Sequence, residues 1–172
     1  MIDLTSGIRD VPDFPRQGIV FKDITPLLAD ARLLASAVEQ MAAPFRAECV
    51  THVVAIESRG FILGSPIAIA LGAGLVPIRK PGKLPAARER VEYALEYGSD
   101  ALEMHQDALG PKDRVVVVDD VLATGGTAAA AGRLVRGRRA ALVGFSFLIE
   151  LAFLGGRKQL AHERVEALLR YT

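Results

Sequence analysis

Residues Val115–Thr127 read VVVVDDVLATGGT, and the fold turns on how that stretch is understood. Four consecutive valines are β-branched and stiff at χ1. An unbroken apolar run of this length suits a strand buried on both faces of a parallel sheet. At its end come two acids, Asp119 and Asp120, then the loop Ala123-Thr124-Gly125-Gly126-Thr127, then the alanine-rich, helix-forming stretch Ala128–Val135. Strand, acid pair, glycine loop and helix make a βα unit, and open α/β sheets bind ligands in the crevice at the carboxyl ends of such strands. Gly125 and Gly126 let backbone N–H groups turn towards one point, and the helix start adds partial positive charge there. A phosphate is the natural guest. The acids would repel it if they faced it, and are better placed to accept hydrogen bonds from the hydroxyls of an attached sugar. A plain strand-to-helix turn, with solvated acids and a Thr N-cap, is the alternative for a glycine pair taken alone.

Composition bounds the rest. At 172 residues the chain is long enough for one domain with a single good core, and its sequence carries no internal repeat, low-complexity tract or linker. A net charge of +1 forecasts no bulk attraction to nucleic acid or membrane. Cys49 is the only cysteine, so no internal disulfide can form, which suits a reducing cytosol. Residues 1–20 contain no continuous apolar core of a secretory signal. Ile62–Ile78 is uncharged for 17 residues, but Gly64, Pro66, Gly72 and Gly74 break it. It reads as a buried helix, a turn and a strand rather than a membrane span.

Along the chain, Met1–Asp10 reads as a short helix or arm, and Val11–Gly18, with prolines at 12 and 15, as irregular. Ile19–Pro26 reads as an edge strand entering a loop. Asp30 is placed to cap a helix from about Ala31 to Ala43, with Leu34, Ala37, Val38, Met41 and Ala42 on one face and Pro44 ending it. Val53–Ile56 and Leu75–Ile78 are buried strands, the first followed by Glu57-Ser58-Arg59-Gly60. Ala86–Gly98 reads as a surface hairpin, with Ala101–His105 as the returning strand and His105 structural. Gly137 is a good helix-ending residue, and Arg133, Arg136, Arg138 and Arg139 cluster at that helix's negative end. Ala140–Ile149 is a last long strand. Gly155-Gly156-Arg157 begins a turn or helix, and the periodicity of Val165–Tyr171 does not decide between strand and helix.

The 13-residue string resembles the phosphoribosyl diphosphate (PRPP) motif of the type I phosphoribosyltransferases, a hydrophobic strand, two acids and a small-Thr-Gly-Gly-Thr loop. The string RKPGKLP at Arg79–Pro85, the following EYALEYG at Glu92–Gly98 and the Phe21 region are similar to the adenine-specific members of that family. The likeness runs from about Pro12 to Tyr171. It implies a twisted parallel sheet flanked by helices, with a hood from about residues 1–30 and 150–172 and a mobile loop at about 80–100. It further implies a single domain over residues 1–172 and the reaction of adenine with PRPP to give AMP and diphosphate. Mg²⁺ would be held through the substrate, with no direct protein ligand.

The same likeness implies the site. Ala123, Thr124, Gly125, Gly126 and Thr127 would anchor the 5′-phosphate. Ser58, Arg59, Gly60, Arg79, Lys80 and Lys83 would hold the diphosphate, and Asp119 and Asp120 the ribose hydroxyls. Val20, Phe21, Lys22 and Leu151 would take the base, with Phe21 and Leu151 on its two faces. Lys22 stands where the family usually has Arg, a change that backbone contacts would survive but a planar guanidinium contact would not. Tyr93 and Tyr97 belong to the mobile loop, and Glu96 is the candidate for proton traffic on the purine, with a hinge or tyrosine-positioning role as its alternative. The expected protein is a cytoplasmic homodimer. Two rival readings stand beside this one: a different base, another purine or orotate, and a non-catalytic PRPP-sensing regulator on the same fold.

Overall fold

The computed structural model describes residues 2–94 and 99–172. In chain order the strands are β1 (Arg9–Pro12), β2 (Val20–Asp23), β3 (His52–Ile56), β4 (Gly74–Ile78), β5 (Arg88–Ala94), β6 (Ser99–His105), β7 (Arg114–Leu122), β8 (Ala141–Leu151) and β9 (Val165–Tyr171). The α-helices are α1 (Thr25–Ala29), α2 (Ala31–Ala42), α3 (Arg59–Leu71) and α4 (Gly126–Gly137). Five strands make the central sheet in the order β4-β3-β7-β8-β9, every neighbour parallel. β1 and β2 form one antiparallel hairpin and β5 and β6 another.

The valine run is covered on both sides. Val115 and Val117 pack with Leu134 and Val135 of α4, while Val116 and Val118 pack with Leu63 and Ile67 of α3 and Met41 of α2. Successive side chains of a strand face opposite ways, so a run of four apolar residues is what two helical layers require. All four valines are fully buried. α2 forms because the Asp30 carboxylate accepts from the N–H groups of Arg32 (2.8 Å) and Leu33 (3.1 Å). It stops before Pro44, where the chain tightens into a 3₁₀ turn over Ala43–Glu48.

Topology fixes where a ligand can enter. From β3 the chain crosses outward to β4, whereas from β7 it winds the other way through β8 to β9. The order therefore reverses between β3 and β7, and a crevice opens at their carboxyl ends.

Several expectations change. The strand does not stop at the acids: β7 continues through Asp119 and Asp120 to Leu122, because β8 pairs with it as far as Glu150. Val11 and Pro12 are paired in β1, which tolerates proline because a two-stranded ribbon leaves one side of each strand unpaired. Gly137 lies inside α4, and the left-handed residue after it is Arg139 (φ 60°). The surface hairpin expected over Ala86–Gly98 is β5–β6, paired from Arg88–His105 to Ala94–Ser99. The undecided Val165–Tyr171 is a strand of the central sheet, since Phe145–Leu151 offers it a parallel partner.

α3 lies close on β3 because Gly64 has no side chain. A Cβ there would stand 2.6 Å from that of Ala55. Gly64→Ala should lower stability by about 1–3 kcal/mol, read as a lower urea midpoint with an unchanged slope.

Candidate active site

A cleft of about 450 Å³ opens at the reversal point between β3 and β7. Its walls come from five places in the chain. Val20, Phe21 and Lys22 of β2 face it from the hairpin, and Leu151 from the end of β8. Ser58 and Arg59 reach it from the exit of β3, Lys80 from beyond β4, and Asp119, Asp120, Ala123 and Thr127 from the exit of β7. Leu151 is held at its post by Glu150, a buried carboxylate that takes the Arg157 Nε at 2.8 and 2.9 Å. Phe21 meets Phe14 edge to face (5.2 Å), and the Arg59 guanidinium lies 5.5 Å from its ring centre.

The phosphate loop is set by Gly125, whose φ of 87° favours glycine. A Cβ there would also meet the Gly156 carbonyl oxygen at 2.4 Å, so the turn at Gly155-Gly156 backs the loop. Thr124, Gly125 and Thr127 line a small cradle of about 80 Å³ beside the cleft, together with Asp119. The first N–H groups of α4 have no partner within the helix and point at this end of it. Gly126 borders a separate recess with Tyr93 and Arg133.

The two acids are not equivalent. Asp119 lines both the cleft and the cradle, with its Oδ1 close to Gly60 at the start of α3, whereas Asp120 pairs with Arg59. Burial, then the neighbouring Asp120 charge, push the Asp119 carboxyl well above the usual carboxylate range. Its Oδ1 accepts the Asp120 N–H at 2.9 Å. Gly60, expected at the diphosphate, packs closely on β7, where a Cβ would lie 2.9 Å from Asp119 Oδ1.

Each expected diphosphate cation already has an anion. Arg59 pairs with Asp120, and Arg79 grips Glu57 through Nε and Nη2 at 3.3 Å each. Lys83 also pairs with Glu57, which accepts the Lys80 N–H at 3.0 Å, while Lys80 pairs with Asp100. Arg79 and Lys83 are thus set behind Glu57, which itself lines the cleft. Lys22 contributes to the cleft wall, but its ammonium bonds Asp10 at 2.6 Å and lies 4.1 Å from the Tyr171 ring centre. Tyr93, expected in the mobile loop, has its ring buried in β5 and its hydroxyl 3.1 Å from the Lys80 Nζ. Glu96 and Tyr97 lie outside the described residues.

With this geometry established, the comparisons with known proteins are specific. The phosphoribosyl transferase domain model matches residues 25–164. The chain belongs to the phosphoribosyl transferase family. A relative in Myxococcus xanthus (strain DK1622), named adenine phosphoribosyltransferase, is 59% identical over 169 residues, 98% of this chain and 92% of its own length. The crystal structure of adenine phosphoribosyltransferase from Rhodothermus marinus superposes with a TM-score of 0.93 at 54% identity, covering 98% of this chain and 96% of that one. The Saccharomyces cerevisiae enzyme, solved with an imino-altritol bisphosphate and adenine, superposes with a TM-score of 0.89 at 37% identity, over 96% of this chain and 95% of its own.

Family motifs point to cations and glycines and pass over Glu57. Its signal in the sequence is position, directly after the buried strand Val53–Ile56 and directly before Ser58-Arg59-Gly60. Among the described residues no three His, Cys, Asp or Glu side chains gather as a metal site. Asp120 is held by Arg59 and Asp119 resists ionisation. Such a donor set fits a divalent ion carried in on substrate oxygens better than one caged by protein.

Burial alone would raise the Glu57 pKa, but Lys83, the Lys80 N–H and Arg79 outweigh it and pull the carboxyl down to about 2 from 4.5. A depressed carboxylate stabilises the fold above its unfolded pKa and loses that effect as pH falls through its folded one. The stability gap between wild type and Glu57→Gln should therefore open from pH 2 to 4.5 and stay level above. Its plateau should be about 1–2 kcal/mol, reduced by water around the exposed cations, measured by denaturant titration at each pH.

Proposed function

We propose that this protein transfers the 5-phosphoribosyl group from PRPP to adenine, giving AMP and diphosphate, a purine-salvage reaction. The observation that carries the reading is that one cleft gathers an aromatic and an aliphatic face (Phe21 and Leu151), the acid pair and the start of the phosphate loop. The named relatives support it over most of the chain's length.

Displacement at the anomeric carbon breaks the bond to the diphosphate oxygen and forms one to a purine nitrogen, passing through an oxocarbenium-like state. Asp119 and Asp120 are read as the groups that hold the ribose hydroxyls. Asp120 does so while paired with Arg59. Arg59 and Lys80, with Arg79 and Lys83 behind them, are read as the stabilisers of the departing polyanion. Mg²⁺ bound to substrate oxygens would add positive charge to the leaving group, with no protein residue assigned as its ligand. The amides of Ala123–Thr127 are read as the 5′-phosphate anchor, which orients the reacting carbon. Glu96 keeps its proposed part in proton traffic on the base.

A cytoplasmic homodimer fits what is seen. Cys49 is exposed and free, as a reducing compartment allows. Among the described residues no helix is long and apolar enough to cross a membrane. Ile62 and Ile69 lie two turns apart on α3 and are 46% and 83% exposed, an apolar stripe that a second copy could cover.

The test is AMP formation from adenine and PRPP with and without Mg²⁺, in competition with hypoxanthine and guanine. Backbone groups around Val20 and Lys22 that match adenine's amino group and N1 face a reversed pattern in hypoxanthine. Adenine should be preferred by on the order of 10⁴-fold in kcat/KM; comparable values for hypoxanthine would assign the chain to another branch. No product from any base would leave the regulator reading.

Phe21→Ala should cost about 1–3 kcal/mol of adenine binding by loss of a stacking face. Calorimetry with adenine reads this directly, and an unchanged affinity would remove Phe21 from the base site.

A further inference from the structure

Lys80 differs from the other cations of its loop. The backbone around it is pinned on both sides. Arg79 and Glu103 exchange backbone hydrogen bonds (2.9 and 2.8 Å), the Lys80 N–H reaches Glu57 at 3.0 Å, and the Gly82 N–H reaches the Glu103 carboxylate at 3.0 Å. Only the Lys80 side chain has room to choose. It lines the cleft, yet its ammonium pairs with Asp100 on β6. Arg79 and Lys83 find their anion in Glu57, on the cleft's own wall, whereas Lys80 takes its anion from the hairpin.

Asp100 is well held. It stands directly across the hairpin from Tyr93, whose hydroxyl donates to its Oδ2 at 3.2 Å, and its Oδ1 accepts the Ala101 N–H at 2.8 Å. The Tyr93 ring is buried, so this carboxylate is presented to Lys80 by a rigid base. The pair itself is half-open to water, with side-chain exposures of 38% for Lys80 and 27% for Asp100. A polyanion entering the cleft can therefore reach the ammonium and compete for it.

We propose that Asp100 is a positioning residue that competes with the diphosphate group for Lys80, so that substrate binding exchanges one counter-ion for another and loosens the tie between Lys80 and the β5–β6 hairpin. This rests on the reading of the cleft as a diphosphate site. The competition sets a sign that a purely structural role would not: removing the Asp100 charge strengthens anion binding.

The experiment is calorimetric titration of inorganic diphosphate with Mg²⁺ into wild type, Asp100→Asn, Lys80→Gln and the double variant. Asn keeps an oxygen for the Ala101 N–H, and Asp100→Ser does the same if Asp100→Asn fails to fold. Asp100→Asn should bind about threefold tighter, the size a half-exposed ion pair supports. Lys80→Gln should bind more weakly, and adding Asp100→Asn to it should change nothing. Unchanged or weaker binding in Asp100→Asn would overturn the proposal, as would equal tightening in the Lys80→Gln background, which would mark a general charge effect. Absence of diphosphate binding in folded wild type would instead sink the diphosphate site itself, and the competition with it.

Discussion

Burial of β7 on both faces is the constraint on which the rest of this structure depends. Its four valines alternate between α4 on one side and α2 and α3 on the other, and each contributes about 1.5–3 kcal/mol by leaving water. A strand so enclosed must also satisfy its backbone on both edges, which β3 and β8 do. Those two partners lie on opposite sides of the reversal in strand order. The same enclosure that stabilises the core therefore delivers Asp119, Asp120 and the phosphate loop to the crevice.

Charge is the second organising feature. Around the cleft Arg59, Arg79, Lys80 and Lys83 each have an anion, with Asp120, Glu57 and Asp100 dividing them, and Lys22 on the same wall pairs with Asp10. Cations crowded around a future polyanion would repel one another, and carboxylates placed between them hold the arrangement together before substrate arrives. Each such pair also competes with the ligand it prepares for. Glu57 holds its cations through several bonds and is the less exposed carboxylate, whereas Asp100 is more open to water. Binding should draw most on the second.

Packing of the phosphate loop shows how distant segments cooperate. Gly125 needs its positive φ, and it also needs the Gly155-Gly156 turn, thirty residues on, to fit against it. That turn follows β8 and leads to β9, so the edge strand, Leu151 and the loop are placed by one continuous piece of chain.

Much of this was legible in the residues alone. Val115–Val118 as a doubly buried strand, the Asp30 cap, the break at Pro44 and the glycine loop ahead of an alanine-rich helix follow from local rules: side-chain stiffness, capping and proline geometry. These depend on neighbours within a few positions. Other features depend on partners far along the chain. The sequence around Asp119 and Asp120 does not show that burial raises the pKa of one while the other pairs with Arg59, because the burial and the partner come from segments far along the chain. Val165–Tyr171 becomes a strand only because β8 offers it an edge. The role of Glu57 and the union of Lys80 with Asp100 and Tyr93 appear only when β3, β4 and the β5–β6 hairpin meet. Sequence determined which chemistry this chain carries, since residue types and short spacings encode it. Tertiary structure decided how charges are paired, since pairing depends on distances between segments that no local pattern records.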